Sequence, residues 1–382
     1  MRVAFYAPMK PPTDPNPSGD RLMARLLMRA WEHSGSQVEL ASRFRSYDKG
    51  HAIRQKRIKA IGKKLADRLI NRYRLRPPHQ RPDIWFTYHL YHKAPDWLGA
   101  TVSTALKIPY VVAEASYAPK QRGGAWDLGH RETAESLAKA NLVIGFNPID
   151  GECIAPLLER PDRQVIVPPF IDTAPFFQAI GERQKHRDEL SKRYGLNTSE
   201  PWLLTVAMMR PDQKLQSYQL LGEALEKIKD HPWQLLVVGS GPASDDVKAA
   251  LGPLEGRVKW LGNQQGADLH AIYASSDVFV WPAIKEAYGM VFLEALSSGL
   301  PVIAGRSAGV EAIVTDGKYG FLVPLANAEA FANAVVRLLQ NPTLRATMSQ
   351  TARHEMSSRH DLRQMSATLT DLGNETIAGR YQ

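Results

Sequence analysis

Cysteine is nearly absent. The 382-residue chain has one, Cys153, so no internal disulfide can form and a reducing, cytoplasmic compartment is expected. Cys153 itself reads as a small buried hydrophobe. Long apolar runs are also missing, and none approaches the ~20 residues that span a bilayer. The N-terminal stretch is broken at Pro8 and reads as a strand, not as a secretory signal. No Asp-x-Asp pair stands at a strand end and no His/Asp cluster has ligand spacing, so a catalytic metal is not implied. The composition, 44% hydrophobic and 23% charged, is that of a globular chain and excludes a disordered tail or a disulfide scaffold. The length predicts two or three domains.

The net charge of +9 is unevenly placed. Residues 1–175 hold 27 Lys and Arg against 17 Asp and Glu, and the remainder is close to neutral. A basic half points to a polyanionic partner: a nucleotide, an anionic membrane surface or nucleic acid. The charge peaks in Arg54–Arg76, where Ile58, Ile61, Leu65, Leu69 and Tyr73 recur at helical spacing. Such a helix can lie on an anionic bilayer. Equally, it can turn its stripe to the core and leave a solvated charged back. Only Tyr73 can stack on bases, so no nucleic-acid partner is expected.

Short β-rich runs alternate with helical patterns in both halves. Strands are expected at Val3–Ala7, Val38–Ala41, Trp85–Tyr88, Tyr110–Ala113, Leu142–Gly145 and Val165–Val167. The pattern restarts at Trp202–Ala207 and continues through Leu235–Val238, Val258–Leu261, Val278–Trp281, Val302–Ala304 and Phe321–Val323. Strands separated by helices indicate parallel sheets. The expected fold class is therefore α/β, with doubly wound domains over residues 1–176 and 201–355. The polar stretch 177–200 is read as a linker region, and 356–382 as a C-terminal helix.

The most informative segment is Trp281–Pro324. Glu286 lies in a loop where a strand meets a helix, and Glu294 follows on the helix. A carboxylate can accept two hydrogen bonds from a vicinal diol. Ala308-Gly309-Val310 opens another helix without bulky side chains, and its amides can meet an anion. A diol acceptor beside a phosphate cradle reads as a nucleotide-sugar pocket. Gly239-Ser-Gly241-Pro242 follows a strand but lacks the third glycine of a dinucleotide fingerprint, so no NAD cofactor is expected.

At these residues the chain resembles a known family. Glu286-Ala-Tyr-Gly-Met-Val-Phe-Leu-Glu294-Ala, followed by Gly299-Leu-Pro301-Val, resembles the E-x7-E signature of family-four retaining glycosyltransferases. That family has the GT-B fold, two Rossmann-like doubly wound parallel-sheet domains facing a central cleft. The resemblance covers essentially the whole chain, strongest over 200–325 and weakest over 50–80. It implies that Glu294 binds the donor ribose and that Glu286 lies by the donor sugar, with Gly289 and Met290 beside them. It implies that Ala308, Gly309 and Val310 give amides to sugar and diphosphate, that Gly239 belongs to a G-x-G-P turn, and that Gly19 lets backbone approach the phosphate. Lys214 and Arg210 match the family's basic pair, which can clamp a diphosphate and stabilise the leaving phosphate. Here the arginine stands closer to the lysine, with Met208 or Met209 in its usual place. Retention without a metal, and a C-terminal helix returning to the first domain, are also implied.

On the acceptor side, Pro17-Ser18-Gly19-Asp20 joins strand to helix, and Asp20 also reads as the helix cap. His89, Glu114 and Ser116 stand at strand ends, followed by Lys120 and Arg122, which can meet an anionic acceptor. The family often has a histidine where Glu114 or Ser116 stands. The expected function is transfer of a sugar from a nucleoside-diphosphate sugar to a glycan or lipid-linked hydroxyl. A sugar-nucleotide epimerase, a phosphorylase and a non-catalytic membrane- or glycan-binding relative remain alternatives.

Overall fold

The structure, a computed structural model, describes every residue except Pro17, Ala287, Tyr288 and Gln382, and every side chain of those except that of Ile149. The first six strands are β1 (Arg2–Tyr6), β2 (Gln37–Ser42), β3 (Ile84–Leu90), β4 (Tyr110–Ala115), β5 (Leu142–Gly145) and β6 (Gln164–Ile166). They form one parallel sheet in the order β2-β1-β3-β4-β5-β6. The second six are β7 (Trp202–Val206), β8 (Gln234–Val238), β9 (Val258–Gly262), β10 (Val278–Trp281), β11 (Val302–Gly305) and β12 (Gly320–Val323). Their parallel sheet has the order β12-β11-β10-β7-β8-β9. All twelve coincide with expected runs. Parallel strands are covered by helices on both faces, so they need continuous apolar sequence. In β8 all five residues are buried.

Each sheet reverses its winding once, between β1 and β3 in the first and between β7 and β10 in the second. Crevices beyond the carboxyl ends of strands at such a reversal are where open α/β sheets bind ligands. The loops after β1, β3, β7 and β10 therefore border these crevices.

The chain divides into two compact units, Met1–Pro168 with Leu362–Gln382, and Pro169–Asp361. The division thus falls a few residues before the expected boundary. The stretch 177–200 is not an extended linker. It carries most of helix Ala174–Gly181 and all of helix Arg183–Tyr194. Only Leu190 of the latter is buried, so no apolar period announces it. It is held instead by cations: Arg183 and Arg187 reach Asp277 at 2.7 and 3.1 Å, and Arg187 lies 4.0 Å from the centroid of Trp202. In the first unit, the C-terminal helix Leu362–Ile377 packs on helix Gly19–His33. Gly373 permits this approach, since a Cβ there would lie 2.8 Å from Met1 and 2.9 Å from Trp31. Cys153 is exposed on helix Pro148–Ile154 rather than buried.

Candidate active site

In the second unit, helix Gln213–Glu226 opens at Asp212, whose Oδ1 accepts the Lys214 amide at 2.9 Å. That N-cap sets Lys214 in the first turn. The Lys214 Nζ donates to Glu286 Oε2. Trp281, the last residue of β10, joins them: its Nε1 donates to the same oxygen at 3.4 Å, and Nζ lies 5.4 Å from its ring centroid. Ser217, one turn further along the helix, accepts the Ile284 amide at 3.1 Å and ties the 282–286 loop to it. The Lys214 and Glu286 side chains are only 20% and 16% exposed. In such a setting an ion pair is little screened, and loss of either partner leaves a costly charge behind.

Arg210 is not part of this group. It is exposed, with Nε 3.1 Å from Asp212 Oδ2. The same aspartate thus holds both cations of the expected pair, one through its backbone and one through its side chain.

Glu294 lies on helix Met290–Ser297 and accepts the Tyr273 hydroxyl at 2.8 Å. Burial pushes its carboxyl up to about 7, even against the Tyr273 hydrogen bond. Gly289 precedes the helix at φ 62°, where a Cβ would meet Phe292 at 2.6 Å and Glu286 Cγ at 3.4 Å. Met290, the first helical residue, is partly buried. Ala287 and Tyr288, inside the signature, lie outside the described residues.

The other glycine-rich loops have distinct reasons. Gly239 has φ 143°, and a Cβ there would lie 1.9 Å from the Ala207 carbonyl oxygen. Gly241 has the same relation to Met209, at 2.2 Å. These glycines let the β8 turn pass the β7 loop, whose Met209 amide donates to the Ser240 carbonyl at 3.0 Å. The helix at Ala308–Glu311 is a single turn. The amides of Val310 and Glu311 both donate to the Ser307 carbonyl at 2.9 Å. Of the three expected amide donors, Val310 is therefore already engaged, and its side chain is fully buried.

In the first unit, Ser18, not Asp20, caps helix Gly19–His33: its side chain accepts the Arg21 amide at 3.2 Å. Asp20 reaches across to β3, where its Oδ1 lies 3.0 Å from His89 Nδ1. A carboxylate partner means that this nitrogen carries the proton. His89 has φ 62° and Glu114, near the end of β4, has φ 56°. Both are non-glycine residues in the left-handed region, a strain that concentrates at functional positions. Burial opposes charge on His89, yet Glu114, Asp20 and Asp150 together hold its pKa above the usual imidazole value. Burial raises the Glu114 carboxyl. A Cβ at Gly19 would meet nothing within 4 Å, so the protein's own packing does not require glycine there. Pro17 lies outside the described residues. Ser116 follows β4 and donates its amide to the Leu90 carbonyl at 3.0 Å. Lys120 and Arg122 are exposed around the short turn Pro119–Gln121.

The basic segment is helix Ala52–Leu75. Ile58, Leu69, Ile70 and Tyr73 face the core, so most of the apolar stripe is structural. Ile53, Ile61 and Leu75 are exposed among the cations, at 72%, 49% and 87%.

Asp212, Trp281, Tyr273, Asp20 in its contact with His89, and Asp150 were not singled out as site residues from sequence. Asp212 carries a readable signal, an N-cap residue two positions before a lysine at a helix start. The others become partners only through strand order.

Residues 200–341 match the family described as Glycosyl transferases group 1. The chain is 33% identical over 163 residues to the sulfoquinovosyl transferase of Arabidopsis thaliana, covering 42% of this chain and 30% of that one. It is 33% identical over 139 residues to the phosphatidyl-myo-inositol mannosyltransferase of Mycobacterium leprae, covering 36% and 37%. The chain thus spans about a third of the length of these curated relatives. The crystal structure of Anabaena HepE in complex with UDP superposes with a TM-score of 0.71 at 17% identity, covering 98% of this chain and 100% of that one. At that identity the likeness speaks for the fold, which is the GT-B arrangement of two Rossmann-like domains.

Proposed function

We propose that this chain, whose residues 200–341 form a Glycosyl transferases group 1 domain, is a retaining, metal-independent glycosyltransferase. It moves a sugar from a nucleoside-diphosphate sugar to a hydroxyl of a glycan or lipid-linked acceptor. One observation carries the reading: Lys214, Glu286 and Trp281 are joined across the loops that follow β7 and β10, the two strands flanking the winding reversal. In this reading Lys214 turns from Glu286 to the donor diphosphate and offsets the charge that develops on the leaving phosphate. Arg210 adds a second cation, and Ala308 and Gly309 supply amides. Glu294 accepts the ribose hydroxyls. The leaving phosphate takes the acceptor proton as the new bond forms on the same face, so no separate base is assigned. HepE, seen with UDP, and a relative named for phosphatidyl-myo-inositol support a nucleotide donor and a lipid-linked acceptor.

His89, Glu114, Ser116, Lys120 and Arg122 are the acceptor-side residues of this proposal. The cationic face of helix Ala52–Leu75 rests on an anionic membrane, and the enzyme works in the cytoplasm at the inner membrane face. No helix among the described residues is long and apolar enough to cross a membrane.

The test is a thermal-shift panel of UDP-, GDP- and ADP-sugars on wild type and Glu294→Ala. A ligand at 100 times its dissociation constant stabilises by about 2.7 kcal/mol. One nucleotide class stabilising wild type, with most of that response lost in Glu294→Ala, supports the reading. No shift with any sugar nucleotide, with or without anionic lipid, overturns it.

A further inference from the structure

A hollow of about 300 Å³ opens at the amino ends of β1 and β2, on the opposite edge of the first sheet from the crevice at the carboxyl ends. Strand β1 is five residues long, so the two edges lie roughly 15 Å apart. The parallel register sets Arg2 beside Gln37 and Val3 beside Val38 in its wall. Helix Ala52–Leu75 ends at Arg76, and the turn that follows brings Gln80 and Pro82 to the same hollow.

The frame is built from charges that hold one another. Glu39 of β2 accepts Arg76 at 2.9 Å and Arg72 at 3.3 Å, one on each oxygen. Both guanidinium groups also lie over the Tyr73 ring, 4.9 and 4.8 Å from its centroid. Arg81 donates to the Arg76 and Arg74 carbonyls at 2.9 and 2.8 Å and so closes the helix end.

Arg2 is the exception. It is half-buried, and its amide donates to Asp83 Oδ2 at 2.6 Å. Among the described residues, no hydrogen bond or ion pair reaches its guanidinium group. At the hollow and its rim the four guanidinium groups of Arg2, Arg72, Arg76 and Arg81 stand against the two carboxylates of Glu39 and Asp83, an excess of two positive charges. A half-buried cation without a partner calls for an anion. A phosphate monoester carries close to two negative charges at neutral pH and matches the excess, whereas a carboxylate or a phosphodiester supplies one. Val3, Val38 and Pro82 offer apolar wall to a carbon skeleton. The carboxamides of Gln37 and Gln80 can both donate to and accept from hydroxyls. The volume suits a small molecule.

We infer that this hollow binds a phosphate monoester on a small polar skeleton, with Arg2 as its principal contact and Arg76 beside it. The ester is either a soluble one, such as a sugar or glycerol phosphate, or the headgroup of a phospholipid. The site is separate from the crevices at the carboxyl ends and does not depend on the transferase reading. Loss of one guanidinium–phosphate contact lowers affinity roughly tenfold or more.

The experiment titrates wild type, Arg2→Gln, Gln37→Glu and Lys214→Ala calorimetrically with inorganic phosphate, glycerol 3-phosphate and glucose 6-phosphate, with glycerol and glucose as neutral controls. Arg2→Gln removes a side chain that has no partner in the protein. Gln37→Glu, at an exposed position, gives Arg2 a carboxylate of its own. Both should melt as wild type does in phosphate-free buffer, and should Arg2→Gln melt lower, Gln37→Glu alone decides. A soluble ligand is indicated if an ester binds wild type and Lys214→Ala alike and loses at least tenfold in affinity in the two hollow variants. A lipid headgroup is indicated if the soluble esters do not bind, but vesicles with phosphatidic acid retain wild type better than phosphatidylglycerol vesicles of equal surface charge, and the two variants lose that preference. Equal binding by wild type and the hollow variants overturns the inference. So does binding lost only in Lys214→Ala, because the phosphate then sits at the donor site, and so does no binding of any ester, soluble or in vesicles. None of these failures touches the transferase reading, which rests on sugar-nucleotide binding.

Discussion

Lys214 and Glu286 lie 72 residues apart in the chain, and Lys214 Nζ donates directly to the Glu286 carboxylate. The pair neutralises two partly buried charges when no ligand phosphate is present. In the proposed reading a donor diphosphate competes with Glu286 for the ammonium group, so the carboxylate tunes donor affinity.

Glu286→Gln should therefore bind free nucleoside diphosphate more tightly than wild type, by several-fold, and yet transfer sugar more slowly. Lys214→Ala should lose both, with kcat down by about 10²–10³ as for removal of one preorganised donor. It should also melt lower, because Glu286 is left buried without its cation. Calorimetry, initial rates and thermal melts separate the three effects. Equal nucleotide affinity in wild type and Glu286→Gln would show that the pair does not compete with phosphate.

Glu294 gives a pH prediction. Its folded pKa, about 7, lies above its ordinary value of 4.5. The ionised form is thus disfavoured by folding. Stability from this group is greatest below the ordinary value and declines as pH rises towards 7. Glu294→Gln keeps an acceptor for Tyr273 and removes the charge. It should be more stable than wild type at pH 8, by at most about 3 kcal/mol, with the gap closing near pH 4.5. Urea titrations at the two pH values check this. A gap that widens towards acid would reverse the assignment.

The glycines separate structural from functional demand. Gly239→Ala places a Cβ 1.9 Å from the Ala207 carbonyl oxygen at φ 143°, and should cost about 2 kcal/mol or more. Gly19→Ala meets nothing within 4 Å. It should leave the urea midpoint near wild type while weakening donor binding, if backbone there approaches phosphate. Loss of stability at Gly19, or none at Gly239, would contradict the packing described.

Helix Ala52–Leu75 carries Ile53, Ile61 and Leu75 on its exposed side. At about 100° per residue these three lie within about 80° of one another. The full chain should co-sediment with vesicles containing phosphatidylglycerol and not with neutral ones, and salt should weaken binding. Ile61→Asp, an exposed change, should weaken it without altering the fold. Binding indifferent to lipid charge would remove the membrane from the proposal.

The inner strands were legible because parallel strands buried on both faces must be short continuous apolar runs, and the half-exposed β2, β6 and β9 because each short run holds Val, Ile or Trp. The signature carboxylates and Lys214 were legible because their spacing places them at strand–helix junctions. Helix Arg183–Tyr194 was not, because Arg183 and Arg187, and not an apolar stripe, hold it to Asp277. Local sequence could not choose between Asp20 as a cap and Asp20 as a partner of His89. Ser18 took the cap, and the pairing of β1 with β3 brought His89 within 3.0 Å of Asp20. By itself the sequence determined the elements and the residue types at their ends, since period and turn chemistry are local. Only the tertiary structure decided which charges meet, because strand order brings Lys214 to Glu286, Tyr273 to Glu294 and His89 to Asp20 across gaps that no local pattern encodes.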